Sequence, residues 1–586
     1  MGYKAPLDEI EFTLANLVDL ESISKLNGFQ HADLATVSGV LEEAGRFFSE
    51  VIAPLNRIGD QQGSKLQADG TVKTPDGFRD AYKKYVEAGW GGVHIAEEYG
   101  GGGMPYTVGV VIQEMFKSAN MAFSLCPLLT QASIEALMSH GSPEQQALYL
   151  EKLVSGQWSG TMCLTEPQAG SDVGALSTRA EPQDDGTYRL FGQKIFITWG
   201  EHDLAENIIH LVLARTPGAH PGTKGISLFL VPKLVPTADG KPGEANDLKV
   251  VSIEHKMGIN ASPTCVLSFG DKGQGAVGYL IGDEQSGMKY MFTMMNTARV
   301  GVGVEGLSIT EAAYQKALEF AQVRKQGREP GASEDAVIVE HPDVRRMLLT
   351  MRAYKEAIRG LLYFNARQVD LERHAESTEE RGHASELSAL LTPISKAWST
   401  DVGVEMASIG IQVHGGMGFI EETGAAQFYR DIRIAPIYEG TNGIQSIDLV
   451  TRKLGMRRGQ VAKDFFELVE SHVAEAPEEL ADVAAPLLAA LSSLRTATDH
   501  LLAAENPNEL LAGATPYLKM FGLMIGGWVH LQSAVAANAG LKSKSDHFLE
   551  GRLGLARFYN SQILPQANGL LLAVTAASTQ LDPAFL

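Results

Sequence analysis

The hydrophobic pattern of the 586-residue chain changes period near residue 161 and changes back near residue 284, and this double switch constrains the fold more than any other feature. Up to about residue 160, the apolar residues of "LATVSGVLEEAGRFFSEVIAPL" and "SPEQQALYLEKLVSG" recur at three and four, the spacing of amphipathic helices, and each run begins near a plausible cap. "EEYGGGGMP" lies between them and reads as a loop from its glycines and proline. From "TMCLTEP" onward come short apolar or alternating runs, "YRLFGQKIFIT", "IIHLVLAR", "GISLFLVPKL", "TCVLSFG" and "VGYLIG", broken by Gly, Pro and Asp clusters. This predicts a compact antiparallel β unit. Helical spacing then returns in "GMKYMFTMMNTARVGVGVEGLSITEAAYQKALEFAQVRKQGR" and continues in segments long enough for a bundle. Beyond "MRRGQ", alanine- and leucine-rich segments predict further helices. The expected organisation is an N-terminal α-helical domain at 1–160, a middle β domain at 161–283, a helix-bundle domain at 284–457 and an additional helical domain at 458–586.

A formal net charge of -21 repels polyphosphate, so no nucleic-acid partner is expected. Local basic pockets for a phosphorylated small molecule remain compatible with it. Cys126, Cys163 and Cys265 are far apart and follow no CxxC spacing, which indicates neither a metal site nor a disulfide framework. The N-terminal "MGYKAPLDEIEFTLANLVDL" has acidic residues and no uninterrupted apolar core, so it does not read as a signal or transit peptide and a cytoplasmic location is expected. No Asp, Glu, Lys or Arg occurs between Lys519 and Lys542, but His530, Gln532, Ser533 and Asn538 interrupt the stretch. It reads as a core helix and not as a membrane span.

Gly301, Gly303 and Gly306 in "GVGVEG" spell the dinucleotide fingerprint, yet no β run precedes them and the helical period continues through them. Close packing of a helix against something flat is the expected role. "CLTEPQAGSDVGAL" brings a strand-like run into a turn at Pro167, Gly170, Ser171 and Asp172, whose backbone N–H groups and hydroxyls suit a phosphate or a ring edge. "KIFITWGEHD" ends an apolar strand on Phe196, Ile197, Thr198 and Trp199, an aromatic surface beside a hydroxyl, or equally a hairpin core. "RIAPIYEGTNGIQ" leaves one carboxylate, Glu439, between an apolar stretch and a glycine turn, where it reads alone as a loop or helix-start charge with Thr441 and Asn442 as cap residues.

Taken in order, "EEYGGGGMP", "CLTEPQAGSDVGAL", "KIFITWGEHD", "AQVRKQGR", "QVHGGMGF" and "IYEGTNGIQ" resemble the acyl-CoA dehydrogenase flavoprotein family over about residues 40 to 457. The chain length, "FITWGEHD", "EHKMGINASPT" and the extra C-terminal helices resemble the long bacterial branch that includes 3-methylthiopropanoyl-CoA dehydrogenases and some fatty acyl-CoA dehydrogenases. The resemblance implies a mainly α fold with a β domain, a bound FAD, and electron transfer to an electron-transferring flavoprotein. Acyl-CoA oxidase chemistry is the alternative within this scaffold, and a non-catalytic flavin-binding or assembly protein is the alternative outside enzymology. Either 3-methylthiopropanoyl-CoA or a fatty acyl-CoA is the implied substrate, and no metal is implied.

By the same resemblance, Met162, Leu164, Thr165, Gly170 and Ser171 line the flavin and its phosphates, while Phe196, Ile197 and Thr198 lie beside the ring. Trp199 stands where the family usually has Asn, and Phe196 where it often has Trp. Arg324, Gln412, Gly415 and Gly416 match residues that complete the FAD site from a neighbouring subunit, which implies a homodimer or a higher homo-oligomer. The family's RxxFG appears as Arg324-Lys325-Gln326-Gly327, without the Phe. Glu439 matches the catalytic base, with Tyr438 and Gly440 at the thioester and Thr441 at the flavin. Arg299 matches a residue supporting the substrate pocket, and Ala298 stands where some members keep the base instead.

Overall fold

The computed structural model describes residues 2–328, 331 and 333–586. They form two compact units, each assembled from separated stretches: Arg46–Met104 with Ala119–Gly301, and Met1–Gly45 with Pro105–Ser118 and Val302–Leu586.

The β-containing unit is built on an eight-stranded sheet. In chain order its strands are β1 (Trp158–Cys163), β2 (Arg179–Pro182), β3 (Tyr188–Thr198), β4 (Asn207–Ala214), β5 (Ser227–Pro232), β6 (Leu248–Ile253), β7 (Thr264–Phe269) and β8 (Ala276–Leu280). They pair in the order β6-β7-β3-β8-β5-β4-β1, with β2 on β3. All pairs are antiparallel except β1 with β4, which is parallel. The purely antiparallel expectation fails there: no tight hairpin joins β1 to β4, and the chain passes through β2 and β3 before returning parallel to β1. The fully buried run "NIIHLVLA" of β4 explains why the pair is tolerated: Ile209, Leu211 and Leu213 enter one core, Val212 and Ala214 the other. The first core also takes Leu137, Leu153, Met291 and Met294 from three helices.

Local signals place the helices of this unit. Ser142 and Gln145 form the reciprocal capping box that starts Pro143–Val154, and the Asn120 side chain accepts from Phe123 N at 3.1 Å at the start of Met121–His140.

In the other unit, helices Pro342–His374 and Thr378–His414 pack on the C-terminal part of Gly287–Val323. A Cβ at Gly303 would lie 2.4 Å from Ser395 O and one at Gly306 2.1 Å from Ser399 O. The "GVGVEG" glycines therefore serve backbone-to-backbone packing, as expected, but against a helix and not a flat surface. Ala514–Leu541 joins the same core: Gly360 meets Val529, and Gly522 meets the Trp398 ring. A buried ionic cluster binds distant segments together. Arg359, fully buried, pairs with Glu114 at 2.7 Å, Glu311 at 2.8 Å, Glu9 at 3.2 Å and Glu356 at 3.2 Å. Lys355 pairs with Glu9 at 2.7 Å and Glu311 at 2.8 Å, and Arg552 pairs with Glu356.

Among the described residues, three helices are long and apolar enough to cross a membrane: Met121–His140, Glu478–Leu502 and Ala514–Leu541, whose apolar windows are 94%, 39% and 83% buried within the protein.

Candidate active site

Helix Ala425–Ile432 ends on a buried isoleucine, and the chain then runs through overlapping turns to the next helix, Asn442–Asp448. Ile437 N bonds to Ile434 O at 2.8 Å and Asn442 N to Pro436 O at 2.9 Å, closing the segment on itself. Glu439 sits at its apex with φ of 56°, followed by Gly440 with φ of 81°. A left-handed conformation at a residue with a Cβ costs on the order of 1–2 kcal/mol, and glycine would adopt it freely. The carboxylate is kept despite that cost.

The turn is clamped from behind. Lys396, fully buried on Thr378–His414, donates to Gly440 O at 2.9 Å and to Asn442 Oδ1 at 2.7 Å. Asn442 Nδ2 donates in turn to Asp401 at 2.7 Å and Ala397 O at 3.0 Å, and Gln445 Nε2 donates to Glu439 O at 3.1 Å. Thr441 caps the following helix, its hydroxyl oxygen accepting from Ile444 N at 3.2 Å. That leaves the hydroxyl hydrogen free to serve a ligand.

A second carboxyl stands next to this turn. Glu305 of Gly287–Val323 is fully buried and accepts the Tyr438 hydroxyl at 2.5 Å. Burial pushes Glu305 up to about 7 against the pull of Lys117, the Tyr438 hydrogen bond and Lys396, and Glu439 adds to the push. Burial brings Lys117 down to about 8, opposed by Glu305. Sequence reasoning singled out neither Glu305, Lys117 nor Lys396. Charged residues on otherwise apolar helix faces were the available signal, but nothing in the pattern joined positions so far apart.

The β unit presents the other group of expected residues. Glu166 and Lys194, both buried, pair at 2.8 Å. Glu166 also accepts from Ser177 N at 2.7 Å and Thr178 Oγ1 at 2.6 Å, while Lys194 donates to Leu164 O at 2.9 Å. Burial raises Glu166, but Lys194 and these donors outweigh it and bring the carboxyl to about 2. This pair, also missed from sequence, fixes the turn carrying Leu164, Thr165, Gly170 and Ser171. The backbone N–H groups of Gly170 and Ser171 take no protein acceptor among the described residues, and both residues are exposed.

Strand β3 bulges beside that turn. Cys265 pairs with Ile197 and Leu267 with Lys194, so Ile195 and Phe196 together oppose Val266. Phe196 takes φ of 60° and is 58% exposed, an aromatic turned out of the sheet. Thr198 is half-buried at the strand end. Trp199 also has positive φ but points inward, donating from Nε1 to Ala122 O at 3.1 Å, so it is a core residue. The side chains of Ile197 and Met162 likewise pack into the cores, with their backbone at the strand ends. An exposed aromatic, a hydroxyl and free backbone donors around one rigid turn fit a flavin edge and an anionic group.

Arg324 follows the end of Gly287–Val323 and Gln412 lies in the last turn of Thr378–His414. The two helix ends meet where Phe320 stacks on His414 at 4.6 Å. Arg324, Gln412, Gly415 and Gly416 are exposed, and Met417, Phe419 and Ile420 beside them are 49%, 87% and 44% exposed. Arg299 is buried, its guanidinium 5.8 Å from the Phe292 ring centre, and Ala298 belongs to the first core of the β-containing unit.

Comparison with known proteins defines the class. Family profiles for the acyl-CoA dehydrogenase N-terminal, middle and C-terminal domains match residues 38–157, 161–272 and 285–454, and "Acetyl-CoA dehydrogenase C-terminal like" matches 465–582. The chain belongs to the acyl-CoA dehydrogenase family, oxidoreductases acting on a CH–CH group. It is similar to the 3-methylmercaptopropionyl-CoA dehydrogenase of Ruegeria pomeroyi, with 45% identity covering 100% of each chain. The broad-specificity linear acyl-CoA dehydrogenase of Mycobacterium tuberculosis is 33% identical over 96% of each chain. The acyl-CoA dehydrogenase of Bacillus anthracis complexed with FAD shares the fold, with a TM-score of 0.74 at 20% identity over 93% of this chain and 89% of that one.

Proposed function

We propose that the protein dehydrogenates an acyl-CoA thioester to the 2,3-enoyl-CoA with Glu439 as the base. The observation carrying this reading is the Glu439 turn: a carboxylate retained in left-handed backbone and clamped by Lys396 and Gln445, in a chain of this family. A thioester α-C–H is a weak acid, so its removal needs a fixed carboxylate and donors for the charge that develops on the thioester oxygen. Glu439 takes the α-proton onto its carboxylate while Tyr438 and Gly440 border the thioester. Bound FAD supplies the two-electron acceptor for the β-hydride. Within the β-containing unit, Gly170, Ser171 and Thr165 would hold its polar parts, with Phe196 and Thr198 beside its ring. The electrons leave to an electron-transferring flavoprotein.

The similarity to the Ruegeria enzyme over the whole chain supports 3-methylthiopropanoyl-CoA as substrate, with a fatty acyl-CoA as the second choice. Arg324, Gln412, Gly415 and Gly416 serve the FAD of a neighbouring copy, a reading supported by their exposure beside Met417 and Phe419. Dilution to monomer should then release flavin.

Stopped-flow flavin reduction at saturating acyl-CoA tests the base. Glu439→Gln should keep the fold and FAD content and slow reduction by ~100- to 10,000-fold, the range for losing a general base. Reduction within a few-fold of wild type would remove Glu439 from the role. Hydrogen peroxide formed at the turnover rate without another acceptor would replace the dehydrogenase reading by an oxidase.

A further inference from the structure

Glu305 is the one fully buried carboxyl beside the Glu439 turn that the proposed reaction leaves without a task. One oxygen receives the Tyr438 hydroxyl at 2.5 Å, and Oε1 has no hydrogen-bond partner among the described residues. A half-satisfied buried carboxyl is costly, so a fold selected for stability alone would replace it. Tyr438 precedes Glu439 directly, and the helix bearing Glu305 is pinned at Gly303 and Gly306 against Thr378–His414, which also carries Lys396. Anchor and clamp therefore sit on two helices locked backbone to backbone, one holding the turn before Glu439 and the other after it.

We propose that Glu305 is a positioning residue for the reaction: by accepting the Tyr438 hydroxyl it fixes the residue before Glu439, as Lys396 fixes the residues after it, and so aims the Glu439 carboxylate. This rests on the reading of Glu439 as the base. The groups facing Glu305 are Lys117 from Tyr106–Ala119, Lys396 from Thr378–His414, and Tyr438 and Glu439 from the turn. Glu439 lies near enough to add to the rise of Glu305, so the charge of Glu305 enters the pH dependence of the chemical step.

The test uses the FAD-loaded full chain. Glu305→Ala and Tyr438→Phe should each slow flavin reduction at saturating substrate at least tenfold, with the substrate concentration for half-maximal rate changed less than threefold. The double variant should be no slower than the slower single one, because both remove the same contact. Glu305→Gln, which still accepts from Tyr438, should return the rate to within about threefold of wild type and abolish the step in the rate profile near pH 7. Amide exchange in residues 434–441, read without turnover, should quicken in Glu305→Ala and Tyr438→Phe and not in Glu305→Gln. If Glu305→Ala does not fold, Tyr438→Phe carries the test alone. Tyr438→Phe with unchanged exchange and a rate within twofold of wild type would overturn the anchor, and a Glu305→Gln profile superimposable on wild type would overturn the part of its charge in the pH dependence. The Glu439→Gln control separates the two ideas: an inactive Glu439→Gln beside an unaffected Tyr438→Phe sinks only the role of Glu305, whereas an active Glu439→Gln sinks the base.

Discussion

Glu305→Gln should make the protein more stable at pH 8 and change it little at pH 5. Burial pushes folded Glu305 up to about 7 from the ordinary 4.5, so the folded state holds its proton more tightly than the unfolded state. Stability then falls as pH rises from 4.5 through 7, and it is the deprotonated wild type that carries the penalty. A gap of about 2.5 units at 1.36 kcal/mol per unit amounts to about 3 kcal/mol, nearly complete at pH 8 and about 1 kcal/mol at pH 5. Glutamine cannot ionise, so the variant gains roughly 2–3 kcal/mol on the wild type across that window. Groups remote from Glu305 titrate equally in both proteins and cancel in the difference, and Lys117, which burial brings down to about 8, loses the support of the Glu305 charge in the variant. For a cooperative unit on the order of 300 residues, this corresponds to a relative rise in melting temperature of roughly 4 °C. Parallel thermal melts of both proteins from pH 5 to pH 8, at fixed FAD, measure it. A difference that stays flat with pH, or that turns against glutamine as pH rises, would refute the assignment of Glu305 as a buried carboxyl strained by ionisation.

Arg359→Met should destabilise the helical unit by about 3–5 kcal/mol, since it leaves Glu114 buried with the Tyr363 hydroxyl and Glu9 and Glu311 sharing Lys355; denaturant midpoints check it. Gly306→Ala puts a Cβ 2.1 Å from Ser399 O, and the forced separation of two helices should cost about 1–3 kcal/mol or more, visible as a lowered melting temperature. Phe196→Gly should relieve a left-handed backbone strain of about 1 kcal/mol and raise apoprotein stability, yet weaken FAD binding by removing the exposed ring. Flavin titration and apoprotein melts read the two effects separately, and a variant that binds FAD as well as wild type would remove Phe196 from the flavin site.

Much of the architecture is legible because it is local. A period of three to four gives helices, Ser142 and Gln145 spell a capping box, and "IYEGTNGIQ" announces a turn with a carboxylate at its apex. Six such stretches in order carry the family, and with it Glu439. What the sequence could not disclose depends on partners remote along the chain. Lys117, Glu305, Lys396 and Tyr438 come from four separate segments, and only packing brings them around one turn. Phe196 faces outward because the register of β3 against β7 slips by one residue, and Trp199, three positions on, is swallowed by the core. Side-chain periodicity is blind to such a slip, since a single extra residue reverses which face each following side chain takes. The Glu166–Lys194 pair shows the same division: both residues lie within readable motifs, but their bond spans two strands, and burial decides that neither faces water. Sequence alone thus determines the turns, caps and periods that name the fold and set a carboxylate at the apex of the turn before Asn442. The tertiary structure decides which charges are buried together, because desolvation is a property of what surrounds a group and not of its neighbours in the chain.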